Sequence, residues 1–221
     1  MTFRFALLLT VICALPEAWA EDIVFEAEDS PVVFERVATL TVCFDFGCKT
    51  RQEVYVHTPE WRVIAAHLSA SRNAADERDR VAKVVAFMEQ IVGALTPTDR
   101  DRGGNDFAGD DRAGQMDCID ESTNTTSYLN LFQERGLLKW HRVKDPVYRA
   151  PRILDQHWAA QIEHTETGQH YAVDSWYEDN GERPYVQTVE AWEKKEAFAS
   201  TAFIISRPRD GRAVRRQSNA W

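Results

Sequence analysis

Between Val81 and Leu95 seven apolar side chains, Val81, Val84, Val85, Met88, Ile91, Val92 and Leu95, recur at helical spacing. They define one face of a helix read as Ala74 to Leu95, and a face that wide has to be covered by other parts of the chain. The runs around it have a different period. Val32 to Cys43, Gln52 to Val56, Leu137 to Val143, Gln156 to Glu163, His170 to Trp176 and Ala199 to Ile205 read as strands, several rich in β-branched and aromatic residues. Strands on both sides of the helical stretch, with short turns between the later ones, predict an α+β fold with helices packed on an antiparallel sheet.

Local signals divide the chain further. Thr58-Pro59-Glu60 opens a helix, with Thr as N-cap, Pro in the first turn and an acid after it, and Trp61, Ile64 and Leu68 follow at helical spacing. Another helix is expected from Cys118 through Tyr128, Leu129 and Phe132, stopped by Gly136 at C′. Asp145-Pro146 is expected to end the strand before it. Asn180-Gly181 is a turn, and Tyr185 to Trp192 a docking segment. Residues 96–115 carry Asp99, Asp101, Gly103, Gly104, Asp106, Gly109, Asp110 and Asp111 without hydrophobic periodicity, which makes them a surface loop leading to Cys118. The acids of that loop do not follow EF-hand spacing, although a bound calcium ion is one use for them.

The first twenty residues read as an export signal: Arg4, an apolar stretch from Phe5 to Leu15, and Ala18-Trp19-Ala20 as a small-x-small cleavage site. That apolar run is shorter than the ~20 residues of a membrane span. Cys13 within it follows Ile12, where lipidation requires a small residue. The expectation is a soluble exported chain, periplasmic, with one domain over residues 21–206 and an Arg-rich tail at 207–221 to which no function is assigned. Removing Arg4 and Glu17 together leaves the net charge at -9. An acidic surface argues against nucleic acid as partner and leaves protein, peptide or cell-wall peptide as the expected substrate class.

Export gives the cysteines meaning. Cys43 and Cys48 flank Phe44-Asp45-Phe46-Gly47 between two strands, in a hairpin at residues 32–57, so that pairing them would staple the hairpin in an oxidising compartment; two reduced thiols at a strand turn are the alternative. Cys118 is then left over. At a helix start its thiolate would gain from free backbone N–H groups and from the helix dipole, while Asp117, Asp120 and Glu121 oppose it. Two readings fit it: a nucleophile activated by a base, or a buried structural thiol.

His157 and Asp174 lie on adjacent strand candidates. With an even number of residues in the loop around Thr165-Glu166-Thr167-Gly168, Ala159 faces Asp174, His157 faces Trp176, and His157 and Asp174 become diagonal neighbours on one face, whereas a three-residue loop with a bulge at Gly168 shifts the register and separates them. His170, about 13 Å from Asp174 along the same strand at ~3.3 Å per residue, is the rival histidine and reads as a polar hairpin residue. His157 as a satisfied core histidine is the alternative to a catalytic one. A metal site from Cys118, His157 and Asp117 or Asp120 lacks close Cys/His ligand spacing.

A Cys at a helix start, Gly136 after that helix, a His opening one strand and an Asp ending the next resemble the transglutaminase-like core, a papain-like thiol fold, over roughly residues 81–176. The bacterial transglutaminase-like cysteine proteinases are the relatives it is similar to, and the run Gln115-Met116-Asp117-Cys118-Ile119-Asp120-Glu121-Ser122 is similar to that of a proteobacterial branch with no assigned activity. The resemblance implies Cys118 as nucleophile, His157 as general base and then acid, and Asp174 as the group orienting the imidazole. It implies attack on an amide, a thioester intermediate, and transfer to water or an amine, hence a cysteine peptidase, amidase or acyl transferase without cofactor. Gln115 is the oxyanion candidate, although it lies nearer the thiol than the corresponding Gln of papain-like enzymes. Ile119 stands where many animal members carry an aromatic residue. A catalytically inactive binding or assembly module of the cell envelope, built on the same fold, is the alternative function.

Overall fold

The computed structural model describes residues 34–104, 113–150 and 156–197. The export signal, the strand expected at Ala199 to Ile205, the Arg-rich tail and three acids of the loop, Asp106, Asp110 and Asp111, lie outside the described residues.

In chain order the elements are β1 (Arg36–Phe44), β2 (Thr50–His57), α1 (Thr58–Ser69), α2 (Ala74–Gly93), a short 3-10 helix (Pro97–Arg100), α3 (Cys118–Glu134), β3 (His141–Arg149), β4 (His157–His164), β5 (His170–Asp174), β6 (Tyr185–Thr188) and α4 (Val189–Glu193). β1 and β2 form a two-stranded antiparallel hairpin, and β3-β4-β5-β6 form a four-stranded antiparallel sheet in that order. The fold is therefore α+β, with α3 packed against both the hairpin and the larger sheet.

The α2 face behaves as its period requires: Val81, Val84, Val85, Met88 and Val92 are buried and join Ile64 and Leu68 of α1, Val54 and Val56 of β2, and Leu129 and Phe132 of α3 in one core. Burying such side chains is worth about 1.5–3 kcal/mol each. The helix starts at Asn73, whose side chain accepts from the Asp76 N–H. It ends at Gly93, so Leu95 falls beyond it and is 47% exposed.

Two local expectations need correction. Thr58 is not the N-cap of α1: His57 holds that place, and the Thr58 amide and hydroxyl both donate to the Glu35 carbonyl, at 2.9 and 3.1 Å. Nor does Asp145-Pro146 end a strand. β3 starts later than expected, at His141, and runs through both residues, its register shifting between Lys144 and Val147. A proline lacks the ladder donor, and an edge strand with a bulge is the place where a sheet tolerates it.

α3 is rich in Thr, Ser and Asn, which favour helices weakly, and is held by contacts rather than propensity. Its first turn carries a full capping box: Asp117 accepts from the Ile119 and Asp120 amides, and the Asp120 carboxylate accepts from the Asp117 amide. In its middle Asn124 accepts from the Cys43 N–H and donates to the Cys43 carbonyl, both at 2.8 Å, and Thr125 bonds Ser175 at 2.9 Å. Tyr128, Leu129 and Phe132 bury its far end, and Gly136 at C′ takes φ +67, a conformation open to a residue without Cβ. The rotation of α3, and with it the place of Cys118, is fixed along its whole length.

Candidate active site

Cys118 is the first residue of α3 and half-buried; Cys43 and Cys48 are disulfide-bonded, so it is the free cysteine among the described residues. The N–H groups of Trp158, the second residue of β4, and of Cys118 itself favour its thiolate. Among the described residues no hydrogen bond joins Cys118 to His157, whose Nε2 is engaged by Asp174. Burial pushes the thiol pKa up; the Trp158 N–H works against this, while the charges of Asp117 and Asp174 add to it.

The β4–β5 hairpin pairs Ala160 with Val173 and Glu163 with His170, the register of an even loop. Side-chain alternation then brings His157 and Asp174 to one face, where His157 Nε2 meets Asp174 Oδ2 at 2.8 Å, both residues buried. The carboxylate accepts from Nε2–H and leaves the imidazole lone pair on Nδ1, the tautomer a general base needs. The same Asp174 Oδ2 accepts from Trp192 Nε1 at 2.6 Å. His157 is enclosed by rings: Trp176 at 4.6 Å, Tyr177 at 5.3 Å and Trp192, stacked, at 5.5 Å between centroids.

Arg149, opposite His157 in the β3–β4 ladder, completes the enclosure. Its guanidinium lies over Trp192 at 4.2 Å and donates to the Trp192 carbonyl and the Tyr177 hydroxyl. These contacts pin α4 onto the sheet and keep Trp192 on Asp174. Trp192 and Arg149 had no signal in the sequence that could have found them, because each acts through long-range contacts. Trp176 and Tyr177 follow Asp174 after Ser175, in a turn: β5 ends at Asp174, short of the Trp176 expected from the sequence.

The other candidates make contacts of their own. Gln115 is buried and its side-chain amide donates to the Arg100 carbonyl at 2.8 Å, so that one of its N–H groups holds the loop. His170 bonds Gln161 at 3.0 Å, as a hairpin residue does. His141 is buried against Glu77 at 2.8 Å, where the Lys139 and Trp140 amides also converge. Cys118, His157 and Asp117 or Asp120 do not converge as metal ligands: among the described residues the group of close donors is Cys43, Cys48 and Asp120, and its two sulfurs are bonded to each other. Of the loop acids, Asp101 accepts from the Met116 N–H at 2.6 Å and Asp99 lies 4.0 Å from Arg100. An open apolar groove of about 400 Å³ between β2 and the end of α2, lined by Tyr55, His57, Ile91 and Leu95 among others, touches none of the catalytic candidates. Among the described residues no helix is long and apolar enough to cross a membrane. Comparison with protein-family models, with curated proteins and with solved structures finds no match to this chain.

Proposed function

We propose that the protein is a thiol hydrolase that cleaves amide bonds through a thioester on Cys118, with His157 as base and Asp174 as the group that orients it. The observation that carries this reading is the buried 2.8 Å bond between His157 and Asp174; the influence of the Trp158 N–H on the free Cys118 thiol supports it. His157 Nδ1 takes the thiol proton, and the sulfur attacks the amide carbonyl. In this reading the Cys118 amide, at the start of α3, is the donor assigned to the developing oxyanion. The C–N bond breaks as the imidazolium returns its proton to the leaving amine, and water then releases the acyl group by the same base.

Since burial and two carboxylates oppose the free thiolate, proton transfer to His157 accompanies attack rather than preceding it. The papain-like or transglutaminase-like core implied by the resemblance belongs to this proposal, as do peptide or cell-wall amide substrates and a periplasmic location, which the Cys43–Cys48 disulfide favours.

The test compares iodoacetamide alkylation of Cys118 across pH in the oxidised protein and in His157→Ala. A rate that falls at least tenfold near pH 7 in the variant is expected, together with loss of turnover in Cys118→Ala on a peptide amide library. Alkylation indifferent to His157 sinks the hydrolase reading. It leaves a binding module with an inert thiol, which the upward push of burial and Asp117 on Cys118 would suit.

A further inference from the structure

The β1–β2 hairpin ends in an unusual turn. Asp45, Phe46, Gly47 and Cys48 all have positive φ, +67, +63, +63 and +57, and only one of them is glycine. Three L-residues in the left-handed region are unfavourable unless the surroundings hold them there. Two things do: the Cys43–Cys48 disulfide that closes the turn, and the N-terminus of α3.

Successive left-handed residues point their amides to one side, and here these amides converge on the capping carboxylates of the Cys118 helix. Gly47 N–H donates to Asp117 Oδ2 at 3.0 Å and Cys48 N–H to Asp120 Oδ1 at 2.5 Å, and the Phe46 amide also reaches Asp120. Asp45 N–H likewise donates to the Gln115 carbonyl at 2.8 Å, and one contact runs the other way, from the Gly114 amide to the Asp45 carboxylate at 2.8 Å. The residues on both sides of Cys118 are thus tied to one six-residue loop. The Gly47 amide also offsets the charge of Asp117, one of the two carboxylates that oppose ionisation of Cys118.

We infer that the disulfide-closed tip of the hairpin is a positioning element for Cys118, and that reduction of Cys43–Cys48 lowers the reactivity of that thiol. Reduction by a dithiol runs through a mixed disulfide. The protein disulfide takes up two electrons and two protons to become two thiols, and the donor's two thiols become its disulfide. Without the cross-link the strained turn relaxes to negative φ, its amides leave Asp117 and Asp120, and the uncompensated charge of Asp117 faces the sulfur.

The experiment follows alkylation of Cys118 by mass of its peptide, across pH, in three forms of the full chain: oxidised, reduced with a phosphine, and Cys43→Ser/Cys48→Ser. The expected result is a pH profile displaced upward by about one unit in the last two, with about tenfold slower labelling near pH 7. Adding Asp117→Asn to the double serine variant is expected to recover most of that loss. Gly47→Pro, which removes the donor to Asp117 and forbids positive φ while the disulfide stays intact, is expected to slow Cys118 in the same way, and it serves should the serine variant fail to fold. Superimposable profiles in all forms overturn the inference and make the disulfide a plain staple. The inference rests on Cys118 as the reactive thiol. The His157→Ala comparison, made with the disulfide intact, tests that separately: a profile that answers to His157 but not to the disulfide overturns the positioning role alone.

Discussion

Trp192 Nε1 and His157 Nε2 share a single oxygen, Asp174 Oδ2, at 2.6 and 2.8 Å. On the proposed reading the indole helps to hold this oxygen toward the imidazole, which makes Trp192 a positioning residue. Trp192→Phe retains a stacked ring and loses the donor. Removing a hydrogen bond to a buried charge costs about 1.5–3 kcal/mol, to be measured by urea unfolding, and Cys118 alkylation is expected to slow while keeping its dependence on His157. An unchanged alkylation rate would reduce Trp192 to packing. Asp117 makes a second single-residue case, because it both caps α3 and opposes the thiolate. Asp117→Asn keeps a good cap and removes the charge. The pH profile of alkylation should therefore shift downward with less than about 1 kcal/mol lost from stability; a shift upward would mean the cap, not the charge, governs the sulfur.

At the scale of elements, α3 is the part on which everything else depends, and Asn124 is its central clamp. Its amide satisfies both the N–H and the carbonyl of Cys43, all buried. Asn124→Ala leaves two buried backbone groups without partners, at about 1–3 kcal/mol each, so an unfolding free energy lower by about 2–6 kcal/mol is expected; a loss under about 0.5 kcal/mol would show that the hairpin docks without it. The sequence made α3 legible at its two ends, through Asp117-Cys118 and Gly136, and α2 through its apolar period. The β4–β5 register was legible only as one of two, because the sequence alone does not choose between an even loop and a three-residue loop with a bulge at Gly168; the structure has the even loop. The bulge that carries Pro146, the clamp of Asn124 on Cys43 and the approach of Trp192 to Asp174 were not legible. Each joins residues distant in the chain, and such contacts leave no local period or cap to read. The left-handed turn at Asp45 to Cys48 was equally hidden, because a single glycine signals one positive φ and not four.

For the molecule as a whole, four buried acids, Glu89, Asp101, Asp120 and Glu121, are expected to set the pH range of stability. Burial pushes Glu89 up to about 8, Asp101 to about 7 and Asp120 to about 6, and raises Glu121 well above the usual carboxylate range. They act on one another across elements: Glu89 faces Asp101 and Glu182 against the Gly181 amide and Ser175, Asp101 faces Asp120 and Asp179 against the Met116 and Arg102 amides, and Glu121 faces Glu89, Asp101, Asp120 and Asp174. A carboxyl whose folded pKa lies above its unfolded value near ~4 binds more protons in the folded state. Its contribution is whole below pH ~4 and is lost as pH climbs through the folded value. Glu77 and Glu163 are lowered instead, Glu163 to about 2, and their contributions change below pH ~4.5, outside that window. Stability is therefore expected to fall between pH ~5 and ~8.5 by an amount on the order of a few kcal/mol, measured by urea unfolding across that range. Glu89→Gln, uncharged throughout, should flatten the curve and melt higher than the parent near pH 8. A parent protein whose stability rises over the same interval would mean that these acids are already ionised when folded, which would require a cation or a path for water among them.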